Sequence, residues 1–332
     1  MGDLIRAEWR RLFTRRITWV MLALVVAVLA LVVFAVGSRS HPHTPQTLAR
    51  AQDFIAGQRA QNLDLCLTEA REGTIEPGQT EPPTEAGCQE AARSFNPPVD
   101  EFQGFQFRFS SDIGTMVFLF SGLLALLGFV VGASSIGAEW STGGMAMLLV
   151  WRPRRLQVLV GKLAALLLGV TAMTVGTSLA WIGALWSVAR LRGDATGIDG
   201  GLLSSLAIRD LRGLALALAC ATAGFAMASF GRHTAAALGA AVAYVVVDEV
   251  VLRILLTASG ITRPQRYFLT SYVFAWLDQT TSYPDTSPCV LAGSCRASTW
   301  SISLAQGGAV IGAIVAVTLA AGVYALRRRD IT

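Results

Sequence analysis

Six long apolar runs constrain the fold of this chain more than any other feature of its sequence. A helix needs about 18–20 mostly apolar residues to cross the hydrocarbon core of a bilayer. These runs lack the alternation of barrel strands, and only helices or closed barrels satisfy the backbone in lipid. The sequence therefore predicts an all-α polytopic membrane protein. The predicted transmembrane helices are 17–36, 113–137, 157–187, 213–230, 234–257 and 303–326.

Composition and charge distribution agree with this class. The chain is 53% hydrophobic and 15% charged, with a mean hydropathy of +0.52. Its net charge of +5 is concentrated in arginine clusters at alternate ends of the spans, which argues against a nucleic-acid partner. The connection 37–112 instead carries eleven acidic residues against six arginines. By the positive-inside rule, both termini are cytoplasmic and 37–112 is extracellular.

One connection does not follow the rule. The outer loop predicted at 188–212 holds four arginines, although its position in the six-span order requires it to face outward. The remaining connections agree with the rule, so six spans remain the prediction. The arginines of this loop are Arg190, Arg192, Arg209 and Arg212.

The N-terminus has features of an export signal. Arg10 and Arg11 resemble a twin-arginine motif, and 35–37 is a small-residue stretch that a signal peptidase could cleave. The apolar run is longer than that of a signal peptide, and its removal would leave the first remaining span without a cytoplasmic anchor. We therefore predict an uncleaved first span.

The cysteines provide a separate indication of topology. Cys66 and Cys88 lie in the first outer loop, and Cys289 and Cys295 lie in the last one, in the compartment where disulfides persist. Local pairing, Cys66 with Cys88 and Cys289 with Cys295, closes the shortest loops. Pairing between the loops remains open, because four cysteines permit three connectivities.

Two segments of the outer loops are predicted to be helical. Thr47 to Thr68 has apolar residues at helical spacing, and 72–98 is rich in residues typical of loops. The aromatic segment Tyr267 to Leu277 is too short to span and indicates an interfacial or re-entrant helix before the sixth span.

His41 and His43 lack a neighbouring third ligand, so no metal site is predicted.

Charged residues within the spans are concentrated in the fifth, at Asp248, Glu249 and Arg253. Such residues are costly in lipid and often mark function. Glu249 and Arg253 are four residues apart and can pair on one helix face, whereas Asp248 points elsewhere. The cluster is therefore either an element of a translocation path or proton relay, or a neutralised structural pair.

Catalytic motifs are absent from the sequence. There is no phosphate-binding glycine loop, no H-E-x-x-H and no nucleophile elbow. We therefore predict that the chain is not an enzyme by itself and binds no cofactor, and that any ATP is hydrolysed by another chain.

The cytoplasmic connection 138–156 carries the strongest family resemblance. It combines a glutamate, a glycine pair, an apolar run, a Pro-x-Arg motif and a Gly-Lys that opens the next span. These features are Glu139, Gly143, Gly144, Met147 to Val150, Pro153, Arg155, Gly161 and Lys162. This order resembles the permease subunits of ABC exporters of the ABC-2 family.

Both ends of the chain extend the resemblance. The amphipathic stretch 1–16, with Glu8, Trp9, Arg10 and Arg11, resembles the N-terminal elbow helix of the family. The basic tail 327–332 resembles its closing motif, and the long loop 37–112 departs from the shortest members.

The resemblance implies a half-transporter in a bacterial cytoplasmic membrane. Two permease copies, identical or homologous, would form a path lined by spans one, two and five. A separate ABC ATPase subunit would bind ATP and Mg, and the coupling segment would dock into it or contact lipid phosphates. The implied coupling residues are Glu139, Trp140, Gly143, Gly144, Arg152, Pro153, Arg154 and Arg155.

Two alternatives remain at this point. An ion-coupled secondary carrier would use Asp248 and Glu249 as proton or cation ligands, and a non-transporting membrane scaffold would hold partners through its outer loop. For an exporter, apolar spans with little buried charge favour an amphipathic or lipid-like substrate. The last outer loop in this scheme is 258–302.

Overall fold

A computed structural model describes residues 2–73, 83–144, 147, 155–261, 263–285 and 298–328. Within those residues, helices form most of the structure, with a π-helical segment at Val246–Leu252, 3₁₀ turns at Val99–Phe102 and Pro264–Tyr267, and two strands. The strands are β1 (Thr280–Asp285) and β2 (Ser298–Ser303). The α-helices are α1 (Gly2–Thr14), α2 (Arg16–Arg39), α3 (Pro45–Glu72), α4 (Glu85–Ser94), α5 (Phe109–Ser141), α6 (Arg155–Arg192), α7 (Gly200–Gly231), α8 (Thr234–Val245), α9 (Arg253–Ala258), α10 (Leu269–Asp278) and α11 (Leu304–Arg328).

The six predicted spans are confirmed as six helices long and apolar enough to cross a membrane. The shortest has 22 residues, or about 33 Å at 1.5 Å per residue, which exceeds the hydrocarbon thickness of roughly 30 Å. The protein is therefore an all-α polytopic membrane protein. The candidate spans are Arg16–Arg39, Phe109–Ser141, Leu156–Arg192, Gly200–Gly231, Thr234–Ala258 and Leu304–Ala325.

The chain divides into two compact units. Unit 1 comprises residues Met1–Leu31, Ile113–Gly183 and Asp199–Thr332, and unit 2 comprises Val32–Asp112 and Ala184–Ile198.

Close packing of α5 against α7 organises the interior of unit 1. Gly128 lies against the Ala217 carbonyl and Gly132 against the Ala221 carbonyl, and a Cβ at either glycine would collide with the α7 backbone. Without a hydrophobic driving force between helices in lipid, such small-residue contacts supply much of the association energy. By contrast, a Cβ at Gly176 of α6 would meet no atom within 4 Å.

The segment predicted as an interfacial or re-entrant helix contains α10, and a pair of strands that the sequence did not predict follows it. Strands β1 and β2 pair in antiparallel register, with Tyr283 opposite Trp300 and their ring centroids 5.2 Å apart. Aromatic cross-strand pairs of this kind stabilise an otherwise marginal two-stranded sheet. Gly307, in α11, lies against the Tyr272 carbonyl, which lets α11 approach α10 closely.

Unit 2 contains the predicted amphipathic helix in a longer form, α3. Thr44 caps its N-terminus by accepting a hydrogen bond from the Thr47 backbone N–H at 3.3 Å, and Gly73 ends it in the left-handed conformation at φ 65°. The stretch 72–98, which the sequence indicates as a loop, contains the short helix α4. Thr84 caps α4 through a 3.2 Å hydrogen bond from the Gly87 N–H.

The Cys66–Cys88 disulfide is confirmed, with 5.7 Å between the two Cα atoms. It joins α3 to α4, and Cys88 is buried. Cys289 and Cys295 lie outside the described residues, so their pairing stays a prediction.

The segment 188–212, predicted as an outer loop, is mostly helical. Helix α6 extends to Arg192 and α7 begins at Gly200, where Asp199 accepts a 2.7 Å hydrogen bond from the Leu202 N–H as the N-cap. The arginines that conflicted with the charge rule therefore lie on helices. In unit 1, Arg209 pairs with Asp278 at 3.4 Å; in unit 2, the guanidinium of Arg190 lies 5.1 Å from the centroid of the Trp186 ring.

Candidate functional site

The last turn of α5 holds a buried glutamate, Glu139, and this residue organises the candidate site in unit 1. Glu139 is 7% exposed and Lys162, near the start of α6, is 4% exposed. The Lys162 Nζ and the Glu139 Oε2 form an ion pair at 2.7 Å, without the geometry of a hydrogen bond. The two residues thus join the helices that flank the cytoplasmic connection predicted from the sequence.

A second cation reaches Glu139 from the junction between α1 and α2. The Arg15 Nη2 lies 2.7 Å from the Glu139 Oε1, and the Arg15 Nη1 donates a 2.5 Å hydrogen bond to the Ser134 carbonyl of α5. Arg15 thereby holds both a side chain and the backbone of the same helix end. A charge-assisted hydrogen bond of this length is among the stronger polar contacts in proteins.

Helix α1 completes the cluster through Glu8. The Lys162 Nζ donates a 2.7 Å hydrogen bond to the Glu8 Oε1, so this ammonium contacts carboxylates on two different helices. Arg11 lies 3.8 Å from Glu8 and 3.5 Å from Glu139, with its side chain 56% exposed. We call Glu8, Arg11, Arg15, Glu139 and Lys162 the buried ion cluster.

Removing any one charge from the buried ion cluster would be energetically costly. Its three cations and two carboxylates leave one positive charge in excess, and the central Glu139–Lys162 pair is shielded from water. Removing one partner of a buried pair leaves an uncompensated charge and typically costs about 3–5 kcal/mol. The end of α5 is therefore rigidly tied to α1 and to α6.

The same helix end is held on a second side by the connection between α7 and α8. The Arg232 guanidinium lies 5.0 Å from the Trp140 ring centroid, a cation–π contact. A Cβ at Gly137 would lie 2.6 Å from the Thr234 backbone nitrogen, so only glycine permits this approach. Trp140, predicted as a coupling residue, therefore has its ring occupied within unit 1.

The remaining predicted coupling residues are described only in part. Gly143, two residues after the end of α5, has a φ of 72°, in the left-handed region that favours glycine. A Cβ at Gly144 would have ordinary contacts with Thr142 and Glu139. Arg152, Pro153 and Arg154 lie outside the described residues, and Arg155 begins α6. Their predicted role in docking stays a prediction.

The predicted elbow helix contributes two of its four named residues to the cluster, Glu8 and Arg11. Trp9 packs against Phe13, with ring centroids 5.1 Å apart, and Arg10 is exposed. One face of helix α1 thus contributes Glu8 and Arg11 to the buried ion cluster, and Arg10 is exposed on another face.

The charged residues of span five are not part of the buried ion cluster and have other contacts. Glu249 and Arg253 form the predicted pair, with 2.5 Å between the Arg253 Nη2 and the Glu249 Oε2. Glu249 also accepts a 2.6 Å hydrogen bond from the Thr270 hydroxyl, and Asp248 accepts one of 3.3 Å from the Leu269 N–H. Both carboxylates therefore hold the N-terminus of α10.

The charges of span five thus have local partners in the structure. Asp248 and Glu249 lie in the π-helical segment, and Asp248 satisfies an N–H that the first turn of α10 leaves without an intrahelical partner. The Arg253 guanidinium also lies 4.7 Å from the Phe268 ring centroid. Over the residues that the structure describes, no group of three or more His, Cys, Asp and Glu is arranged to hold a metal ion.

The sequence singled out Glu139 and the Gly-Lys motif, but it did not predict the ion pair between Glu139 and Lys162. In the sequence, Arg15 lies among the arginines just before the first span and Glu8 lies in the predicted elbow helix, and no local pattern links either of them to Glu139 or Lys162. A glutamate inside an arginine-rich amphipathic stretch was the one available signal that α1 supplies an anion to a buried cation.

Comparison with protein-family models matches residues 3–331 to one described as "ABC-2 family transporter protein". A search of curated proteins found no match to the sequence. The match covers nearly the whole chain, including both units and every candidate span.

Proposed function

Because the chain belongs to the ABC-2 family of transporter proteins, and so is a permease subunit of an ABC transporter, we propose that it exports its substrate with ATP hydrolysed by a separate subunit. The observation that carries this proposal is the buried ion cluster, which ties the base of the connection between α5 and α6 to the N-terminal helix. A force applied to that connection would reach three helices together.

In this proposal, the members of the cluster are positioning residues. Glu139 is too buried to contact a second chain, so we assign it the task of fixing the end of α5 against Arg15 and Lys162. Docking into the ATPase, or contact with lipid phosphates, is left to Arg152, Pro153, Arg154 and Arg155. ATP and Mg would bind in the ATPase subunit.

We further propose that two permease copies assemble in the cytoplasmic membrane with both termini inside the cell. The supporting observation is the low burial of the spans Arg16–Arg39 and Thr234–Ala258, at 17% and 11% of their most apolar windows. By comparison, 56% of the window in Phe109–Ser141 is buried. Faces of this kind are open to lipid or to a second copy.

Affinity purification of the tagged full-length chain from its native membrane tests this function. We expect an ABC ATPase subunit to co-purify, and its hydrolysis of ATP to rise when the permease is present. Gradient-driven flux without nucleotide would support an ion-coupled carrier, and a stable complex with neither activity would support a scaffold. Both results would contradict the proposal.

A separate substitution tests the proposed role of the arginines in docking to the ATPase subunit. We expect Arg155→Glu to reduce permease-dependent ATP hydrolysis while membrane insertion persists, because the reversed charge would oppose docking. Arg50→Glu, an exposed residue of unit 2, serves as the control. Equal stimulation by Arg155→Glu and by the control would reject the docking role.

A further inference from the structure

A cavity of about 460 Å³ opens in unit 1 beside the first turns of α5. Gly114 in its wall and Glu139 in the buried ion cluster lie near opposite ends of the same helix, roughly 37 Å apart at 1.5 Å per residue. The volume of the cavity falls within the range of small-molecule sites, roughly 300–1,000 Å³. Residues in its wall include Gly114, Thr115, Phe118, Arg209, Phe274 and Asp278.

Both signs of charge face this cavity. The Arg209 Nη1 lies 3.4 Å from the Asp278 Oδ1, which is longer than the 2.7–2.9 Å of a charge-assisted hydrogen bond. The two side chains are 38% and 47% exposed. This loose pair engages one nitrogen of a guanidinium that carries five N–H donors. Both groups therefore retain capacity for a ligand of opposite charge.

The apolar part of the wall is aromatic. Phe118 of α5 and Phe274 of α10 have ring centroids 4.9 Å apart. Phenyl rings bury apolar groups and also attract ammonium groups through their faces. The cavity thus combines a cation, an anion and an aromatic surface.

The two helices that carry the charged groups, α7 and α10, are joined beside the cavity. The Arg212 Nη1 donates a 3.5 Å hydrogen bond to the Leu277 carbonyl, and the Trp276 Nε1 donates one of 3.1 Å to the Arg212 carbonyl. These bonds clamp α7 to the end of α10, next to both charged residues. A Cβ at Gly114 would lie 2.6 Å from the Arg209 Nη1, so glycine leaves room for the guanidinium over α5.

The geometry points to a binding site for a zwitterionic headgroup that carries one phosphate and one ammonium group. Arg209 would bind the phosphate, and Asp278, with the rings of Phe118 and Phe274, would bind the ammonium. A purely anionic ligand on Arg209 would be repelled by the Asp278 carboxylate beside it. The inference is independent of the proposed coupling to an ATPase, and its test needs no nucleotide.

Native mass spectrometry of the full-length protein in detergent provides the test, with lysophosphatidylethanolamine as the probe. We expect the probe to bind at least tenfold more tightly than lysophosphatidylglycerol, which has the phosphate but no ammonium. Arg209→Gln should weaken binding of both lipids about tenfold, because one hydrogen-bonded charge contact is lost. Asp278→Asn should abolish the preference between them.

Arg71→Gln is the matched control, because Arg71 belongs to an exposed ion pair with Glu85 in unit 2. It should bind both lipids as the unaltered protein does. Displacement of the lysolipid by free phosphoethanolamine would assign the site to soluble zwitterions, and failure of displacement would assign it to a lipid.

Equal affinity of the unaltered protein for the two lysolipids would overturn the inference, and that measurement requires no variant. Binding that is the same in Arg209→Gln, Asp278→Asn and Arg71→Gln would also overturn it. Melting temperatures of the three variants establish that each is folded.

Discussion

The Lys162 ammonium lies 2.7 Å from the Glu139 carboxylate, and both residues are more than nine-tenths buried. The pair joins the last turn of α5 to the first turns of α6, on either side of the connection that the family resemblance identifies as the coupling segment. A buried charge pair resists independent movement of its two helices, because separation would expose each charge to an apolar environment.

Lys162→Met should destabilise the protein more than any surface substitution. We expect a loss of about 3–5 kcal/mol in the free energy of unfolding, because Glu139 and Glu8 would lose their shared cation. Unfolding in mixed micelles with increasing denaturing detergent measures the change. Arg71→Gln, at an exposed ion pair, is the control and should change stability by less than about 1 kcal/mol. Equal losses for both variants would show that the cluster is not energetically coupled.

Gly132→Ala should loosen the contact between α5 and α7. The new methyl group would collide with the Ala221 carbonyl, and relief of such overpacking typically costs about 1–3 kcal/mol. Gly176→Ala is the matched control, because a Cβ there meets nothing within 4 Å and alanine favours a helix. Thermal unfolding of both variants checks the prediction, which fails if Gly132→Ala is as stable as Gly176→Ala.

Loss of the Cys66–Cys88 disulfide should release α4 from α3. We expect Cys88→Ser to lower the stability of unit 2 by about 2–4 kcal/mol, since the bond closes a loop in the unfolded chain. Limited proteolysis should then cleave between α3 and α4 faster than in the unaltered protein. Cys220→Ser, at a free cysteine in α7, should leave the cleavage rate unchanged. A disulfide-free variant with the original cleavage rate would contradict this.

Asp248→Asn should weaken the N-terminus of α10 only slightly. The amide retains one acceptor oxygen, so hydrogen exchange at Leu269 and its neighbours should rise only modestly, and Asp248→Ala should raise it further. The expected cost of losing the cap is about 0.5–2 kcal/mol. Val247→Ala, at an exposed neighbour in the same segment, is the control. Unchanged exchange in Asp248→Ala, together with loss of proton-driven flux, would favour the carrier reading.

Patterns that act along the chain could be predicted from the sequence. The six spans follow from apolar length alone, and the four-residue spacing of Gly128 and Gly132 is typical of a close contact between helices. The ion pair between Glu249 and Arg253 could also be predicted, because residues four apart on a helix meet on one face. The local pairing of Cys66 and Cys88 was favoured by the short loop that it closes.

Contacts between distant segments could not be predicted. Glu8 and Lys162 are 154 residues apart, and no local pattern links a carboxylate in an amphipathic stretch to a lysine at the start of a span. The four arginines of the predicted loop 188–212 seemed to oppose the topology because their partners were unknown. Arg209 lies 3.4 Å from Asp278, a residue that the sequence places only in a later outer loop.

The most direct test of coupling through the buried ion cluster is a double-mutant cycle on ATP hydrolysis by the co-reconstituted ATPase subunit. Glu139→Gln and Lys162→Met should each reduce the permease-dependent part of hydrolysis at least tenfold, and the double variant should lose little more, because both act through one contact. The exposed control Glu90→Gln should stimulate hydrolysis like the unaltered protein. Full stimulation by folded Glu139→Gln, or strictly additive losses in the cycle, would contradict coupling through this pair.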